Sequence, residues 1–387
     1  MLRTLPRQAD PTRGSPAPAA VLEAPRRLGE IRPLERTDLE ATAALFELAL
    51  GAGVREADPA KVGLFERTFL DNPWTDPELP SLVATDERGR VIGFIGAEVR
   101  RMRFGVRTIR AVWGQDFVVA PEARRLGVGA LLLHRMLKGP QDMTLTDSAT
   151  ATTRELWLRL GGDALELKGV HWVRLFRPWD VAAHEAGRHI RPRLRAALRP
   201  IVASLDAGTT AAAARWLRPN SVAETAVPLT PRSLVEALPT VTRRLTLYPA
   251  YDEQYLEWLF RELVKVKRRG HLIAHLVVDG DSRPLGWYLY YLRPGWRSEV
   301  LQLVADEPAV GRVLDHLLFH AYEHGSAAVR GRLEPGLVET VVGRRCLLWH
   351  RGGALVHSRD SELLWALQSG KSVATRLEGE WWSDALV

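Results

Sequence analysis

The chain of 387 residues has few of the features that mark several classes of protein. Its single cysteine, Cys346, excludes an intrachain disulfide and a cysteine-based zinc site, and we expect it to be a small buried residue. No apolar run reaches the roughly 18–20 residues that span a bilayer. The N-terminal region lacks the hydrophobic segment of a secretory signal. With 46% hydrophobic and 26% charged residues, these absences favour a cytoplasmic, globular protein with room for two domains.

The net charge of +7 is concentrated in two segments. Residues 1–27 hold five arginines against two acids, and residues 186–220 hold seven arginines against one aspartate. The rest of the chain is close to neutral. A nucleic-acid-binding domain carries its basic face on the fold itself, so we expect nucleic acid not to be a partner.

Composition and pattern divide the chain into four parts. Residues 1–27 are rich in proline, alanine and arginine and are predicted to be a disordered tail. Residues 28–180 and 226–387 each show strands alternating with helices, which predicts two α/β domains. Residues 181–225 are predicted to be a basic connector, because Pro192 and Pro200 break any long helix.

The most informative stretch runs from Asp116 to Ala130. An apolar strand leads into a turn and then into a glycine-containing helix start. Amides at a helix N-terminus are unpaired donors with partial positive charge, and Gly127 and Gly129 let a diphosphate approach them. Arg124 and Arg125 add charge. The fingerprints of a Rossmann site and of a P-loop are both absent, so the stretch predicts another kind of phosphate-bearing ligand.

The spacing Arg124-x-x-Gly127-x-Gly129 resembles the acyl-CoA pyrophosphate loop of the GCN5-related N-acetyltransferase (GNAT) superfamily. The resemblance implies acetyl-CoA or another acyl-CoA as co-substrate, an amine acceptor that is a small molecule or a peptide, and no metal. The resemblance implies that acyl-CoA, the acyl carrier, is bound by Phe117, Val118, Val119, Arg124, Arg125, Leu126, Gly127, Val128, Gly129 and Ala130.

The order of elements over residues 29–180 also resembles that superfamily, with Val170–Phe176 as the strand that closes the sheet. In the superfamily two parallel strands splay apart and admit the pantetheine arm, which implies that Phe117–Val119 forms this edge. The second half repeats the strand-then-helix order, but Asp306 and Glu307 stand where the phosphate loop would be, and carboxylates repel a diphosphate. We therefore expect an α+β protein of two GNAT-like domains, each a mixed twisted sheet flanked by helices, the second degenerate and without a cofactor. Mycothiol synthases and Fem peptidyltransferases are similar in having two such domains in tandem.

Two carboxylates are candidate catalytic residues. Asp116 is a candidate base, or forms structural hydrogen bonds; strand alternation separates it from Gln115 unless a bulge intervenes. Asp147 either binds an amine or caps the helix that starts near Thr152. Trp157 stands where many superfamily members keep an acidic tyrosine, and an indole cannot protonate a thiolate.

Aromatic and histidine clusters have two interpretations each. Trp74, Trp113 and Trp172 line an acceptor cleft or pack in the core. His316, His320 and His324 recur along one helix face, but ligands in line down one helix do not converge on one ion, which favours a packed or solvated face.

These observations predict an acyl-CoA-dependent N-acyltransferase. One alternative is a non-catalytic acyl-CoA-binding or scaffold protein of the same fold. The other is a Fem-like aminoacyl-tRNA-dependent transferase that uses the basic connector to contact RNA. The sequence gives no indication of oligomeric state.

Overall fold

The computed structural model describes residues 27–49, 57–186, 202, 204–209, 214–352 and 354–379. The predicted tail, apart from Arg27, and residues 187–201 of the predicted connector lie outside this part of the chain. Among the described helices, none is long and apolar enough to cross a membrane.

The first half of the chain forms most of one sheet and the helices on it. Its strands are β1 (Leu28–Pro33), β2 (Leu82–Asp86), β3 (Val91–Phe104), β4 (Arg107–Val119), β5 (Met143–Thr146) and β6 (Asp163–Ala164). Its helices are α1 (Leu39–Ala49), α2 (Pro59–Phe65), α3 (Val128–Leu137) and α4 (Ala151–Arg159).

The second half supplies most of another sheet. The strands of the chain from residue 170 onward, which do not all belong to this sheet, are β7 (Val170–Leu175), β8 (Thr225–Pro228), β9 (Leu247–Pro249), β10 (His271–Val278), β11 (Pro284–Leu292), β12 (Arg297–Ala305), β13 (Ala328–Arg332), β14 (Leu347–His350) and β15 (Leu355–Ser358). The helices are α5 (Pro178–Ala186), α6 (Ala214–Leu217), α7 (Pro231–Val241), α8 (Glu253–Lys265), α9 (Val310–Glu323), α10 (Val338–Gly343) and α11 (Ser361–Gln368).

The two sheets exchange strands. The first has the order β1-β2-β3-β4-β5-β15-β6, with β9 on the far end of β3, and the second has the order β14-β7-β13-β12-β11-β10-β8. The prediction that Val170–Phe176 closes the first sheet is therefore wrong: β7 pairs with β13 and β14 of the second. The place beside β5 is taken by β15, where Leu355 lies opposite Thr146.

Both sheets contain one pair of parallel strands that separates after three residue pairs. Strands β4 and β5 pair from Ala111 with Met143 to Trp113 with Leu145. Strands β12 and β13 pair over an equally short stretch, residues 297–299 with 328–330. Beyond these points each pair leaves an opening in its sheet, so the two halves repeat one architecture.

Side-chain caps set where several helices begin. The Asp58 carboxylate accepts a hydrogen bond from the Ala60 amide at the start of α2, and the Thr150 hydroxyl accepts one from Thr153 at the start of α4. Each satisfies an amide that has no partner inside its helix. The prediction that Asp147 caps α4 is wrong, because Thr150 does so.

Candidate functional site

Strand β4 reaches the opening of the first sheet through a β-bulge. Val118 lies opposite Phe94, but Gln115 lies opposite Gly96, so β4 carries one extra residue in this interval. Asp116 has a φ of 50°, which is rare for a residue with a side chain. The bulge interrupts the strand alternation that would otherwise separate Gln115 from Asp116.

Helix α3 begins at the same end of β4, and its first amides are exposed for binding. Gly127 is its N-cap, with a φ of 71° and no side-chain cap. In the described part of the chain, the amides of Val128, Gly129 and Ala130 have no hydrogen-bond acceptor. A Cβ on Gly127 would meet nothing within 4 Å, so the turn is not plugged by a side chain.

A cavity of about 720 Å³ connects this turn to the open strand. Its walls come from α1, β4, the turn, α3 and α4, and seven of the predicted carrier residues line it: Phe117, Val118, Val119, Arg124, Gly127, Gly129 and Ala130. The other three lie outside that lining. Val128 is packed in the core, Leu126 is half-buried against it, and Arg125 is exposed.

The donor set of this cavity fits a diphosphate ester. Bare amides at a helix N-terminus and a neighbouring guanidinium are the groups that bind phosphate oxygens. Gly129 adds space, since a Cβ there would lie 3.4 Å from Phe117 Cζ and 3.5 Å from Val119 Cγ2. A larger side chain would fill the gap between α3 and β4.

Asp116 is buried beside the cavity and paired with a lysine. Lys61 Nζ lies 3.3 Å from the Asp116 carboxylate and 4.0 Å from the centre of the Phe46 ring, which lines the cavity. Burial raises the pKa of Asp116, and Lys61 opposes that rise. Burial and the neighbouring cation thus act on the pKa of Asp116 in opposite directions, and burial has the larger effect.

Asp147 lies where the chain leaves β5, and it joins the two sheets. Its Oδ2 lies 3.1 Å from Nη1 of Arg332, which belongs to β13, and both side chains are under a tenth exposed. Gly379 packs directly on its carboxylate, since a Cβ there would lie 2.1 Å from Oδ2. Asp116 and Asp147 thus lie at the ends of the two strands that flank the opening, each paired with a different cation.

Glu98 and Arg100 on β3 were not among the site residues predicted from the sequence. Glu98 accepts hydrogen bonds from Gln115 Nε2 at 2.8 Å and, at 3.4 Å, from Asn72 Nδ2, and its Oε1 lies 2.6 Å from Arg100 Nη1. Burial raises the pKa of Glu98, and Arg100 lowers it. A glutamate and an arginine two residues apart, directly after the apolar run of residues 91–97, are a signal that could have found the pair.

The tryptophans do not meet in one cleft. Trp74, Trp113 and Trp172 belong to three separate hydrophobic clusters and are 1%, 3% and 1% exposed. Trp157 is also buried, and its indole donates to the carbonyl oxygen of Val356. Its position in α4 is therefore used for packing against β15.

Chain from the C-terminal region lies in the opening of the second sheet. Gln302 on β12 donates to Thr375, and Arg332 on β13 donates to the Ala374 carbonyl oxygen at 2.6 Å. Asp306 and Glu307, at the position of the missing phosphate loop, form ion pairs with Arg243 and Arg244. The opening of the second sheet thus contains residues of the protein itself, whereas the opening of the first sheet borders the cavity along β4.

The histidines of α9 pack against the second sheet. His316 and His320 form hydrogen bonds with the hydroxyl groups of Tyr288 and Tyr290 on β11, and His275 on β10 reaches Tyr288 at 2.9 Å. Among the described residues, no cluster of His, Cys, Asp and Glu has the arrangement of a metal site.

Comparisons with known proteins agree with this geometry. Residues 44–161 match the Acetyltransferase (GNAT) family. No curated protein matches the chain.

Several solved structures share the fold over most of this chain. A GCN5-related N-acetyltransferase from Anabaena variabilis is 10% identical, with 86% of this chain and 73% of that chain covered and a TM-score of 0.55. A probable N-acyltransferase from Enterococcus faecalis is 9% identical, with 85% and 72% covered and a TM-score of 0.54. A GCN5-related N-acetyltransferase from Kribbella flavida is 16% identical, with 86% and 72% covered and a TM-score of 0.52.

The helix start, the bulged strand and the opening beside it all lie within or next to the matched residues 44–161. The similarity to the GNAT acetyltransferase family therefore covers the part of the chain that forms this site.

Proposed function

We propose that this protein transfers an acyl group, the acetyl group in the first instance, from acyl-CoA to an amine. The observation that carries the proposal is the uncapped N-terminus of α3, whose amides border a cavity that continues along the open edge of β4. A helix N-terminus attracts the diphosphate. The edge of Phe117–Val119 offers backbone groups to the pantetheine arm.

Acyl-CoA would supply the activated acyl group, and the protein would supply position and proton transfer. The amine nitrogen bonds to the acyl carbon while the carbon–sulfur bond breaks; the amine loses one proton, and the thiolate gains one. Asp116 is our candidate for the group that takes the amine proton, because it is placed at the bulge. We propose that Asp147 helps to bind the amine on the other side of the opening.

We propose that residues 28–180 and 226–387 form two GNAT-like domains that exchange the strands β7, β9 and β15, and that only the first binds acyl-CoA. The filled opening of the second sheet supports this division of roles. We further propose that the protein works in the cytoplasm, which fits its composition.

A non-catalytic acyl-CoA-binding protein is the second candidate. It is favoured by Trp157, whose indole is engaged by Val356 and cannot act as the acid. The aminoacyl-tRNA alternative stays a prediction, since residues 187–201 of the connector lie outside the described part of the chain.

Thiol release separates these candidates. With acetyl-CoA and a library of amines, we expect release of free thiol that depends on the amine and is matched by acylated product in mass spectra. Acetyl-CoA binding with no amine-dependent release would overturn the transferase and support the binding protein.

A further inference from the structure

Two buried side chains beside Glu98, those of Gln115 on β4 and Arg100 on β3, leave polar atoms without partners. Gln115, Glu98 and Arg100 are each no more than 1% exposed. Among the described residues, Gln115 Oε1 and the Nε and Nη2 of Arg100 have no hydrogen-bond partner. Leaving a buried polar atom unpaired is energetically unfavourable, so one acceptor and two donors within a single cluster point to a bound partner.

Glu98 fixes which way these groups face. An ionised carboxylate only accepts hydrogen bonds, so Gln115 must turn its Nε2 toward Glu98, at 2.8 Å. This leaves Oε1 directed away from Glu98. Arg100 likewise donates from Nη1 to Glu98, at 2.6 Å. Its Nε and Nη2 are therefore left to donate to another acceptor.

The cluster lies next to the opening: Glu98 and Arg100 face the stretch of β4 that still pairs with β5, and Gln115 lies just beyond it. Gln115 directly precedes the bulged Asp116 and follows Trp113, the last β4 residue that pairs with β5. The charges here cancel, because Glu98 is paired with Arg100 and Asp116 with Lys61. A neutral site favours a ligand that presents an uncharged amine.

We propose that Gln115 and Arg100 bind the acceptor, and that this acceptor is an amine with a carbonyl or carboxylate oxygen on the adjacent carbon. The amine donates an N–H to Gln115 Oε1, and the oxygen accepts from Nε and Nη2 of Arg100. Amino acids, their amides and peptide N-termini have this pattern. The inference rests on the proposed function, whose acceptor it specifies.

The test compares matched amines in the thiol-release assay with the full chain. Alaninamide and isopropylamine differ in the oxygen-bearing group and in basicity, so rates are compared per neutral amine. On that basis we expect kcat/KM to be at least about tenfold higher for alaninamide, which is about 1.4 kcal/mol. This comparison needs no variant, so it stands even where a substitution unfolds the protein.

Two variants assign the effect to residues. Gln115→Met should raise the KM for alaninamide about tenfold, equivalent to about 1.4 kcal/mol, while the KM for acetyl-CoA stays unchanged. Arg100→Lys keeps the charge beside Glu98 but removes the planar donors, so it should reduce the preference for alaninamide.

Gln141→Met is the matched control. Gln141 also has a buried Oε1 without a partner, but its amide donates to Met136 and Thr144, near the start of β5. This variant should match the wild type in every assay.

Each contrary outcome has a separate meaning. Equal rates with both amines, or an unchanged KM for alaninamide in Gln115→Met, would overturn this inference and leave the proposed function standing. Absence of acetyl-CoA binding would overturn the proposed function as well.

Discussion

Lys61 and Asp116 show how a single buried contact supports the site. Their side chains are 5% and 6% exposed, and Lys61 also stacks over the rings of Phe46 and Phe65. Removing one member of a buried pair leaves the other charge uncompensated, which is worse than lacking both.

We expect Lys61→Met to lower the free energy of unfolding by about 3–5 kcal/mol. Lys61→Met combined with Asp116→Asn should recover part of that loss. Urea unfolding of the three proteins measures both effects. The exposed pair of Arg159 and Glu155 is the control, and Arg159→Met should change stability by less than about 0.5 kcal/mol. Equal effects of Lys61→Met and Arg159→Met would contradict the account.

At the residue scale, the sequence predicted those features that depend on residues close by along the chain. Gly127 and Gly129 were identified because a helix start and its glycines are a local pattern. Glu98, Arg100 and Lys61 were not, because their roles depend on partners from other elements. For Asp147 the sequence left amine binding and a cap on its own helix as alternatives, and it gave no sign of its partner Arg332, which lies 185 residues away.

At the scale of elements, α9 contacts the second sheet partly through histidines. Burial lowers the pKa of His275 and His316, and it lowers the pKa of His320 to about 3. The groups that face them are Tyr288, Tyr290, His324 and Glu224, of which only Glu224 favours the charged form of His316.

Acid should therefore loosen the packing of α9. In the folded protein the pKa of His320 lies below the usual value of 6.5. Between about pH 3 and pH 6.5 the unfolded chain therefore binds more protons than the folded one. Stability should be complete above about pH 6.5 and fall as the pH drops toward 3. Melting temperatures from pH 8 to pH 5 test this, and His320→Gln should show a shallower fall than the wild type. A steeper or identical fall in the variant would refute it.

Most strands were predictable as strands, but their partners were not. The alternation in β7 is the same whichever sheet it joins. Its neighbours β13 and β14 lie more than 150 residues further along the chain, and β15 reaches β5 across a similar distance. Pairing at such separation is decided by the whole fold.

At the scale of the whole molecule, the exchange of β7 and β15 joins the two halves. A fragment that ends at Ala186 contains β7, which belongs to the second sheet, and lacks β15, through which β6 is attached to the first. Each half alone would expose unpaired strand edges, which promote aggregation.

We expect fragments 1–186 and 187–387 to aggregate when produced singly and to form a 1:1 complex when produced together. Size-exclusion chromatography and native mass spectrometry distinguish these outcomes. Two separately stable, monomeric fragments would show that the halves fold as independent domains.

The central claim is that the amides at the start of α3 bind the diphosphate of acyl-CoA, and titration calorimetry with acetyl-CoA tests it most directly. Gly127→Glu puts a carboxylate at this point and should weaken binding at least about tenfold, or about 1.4 kcal/mol. Gly105→Glu is the matched control, since Gly105 also has a positive φ, 57°, and open space around it but lies in the β3–β4 turn. Wild-type affinity in Gly105→Glu with a large loss in Gly127→Glu is the predicted result; equal affinity in all three proteins would contradict the account.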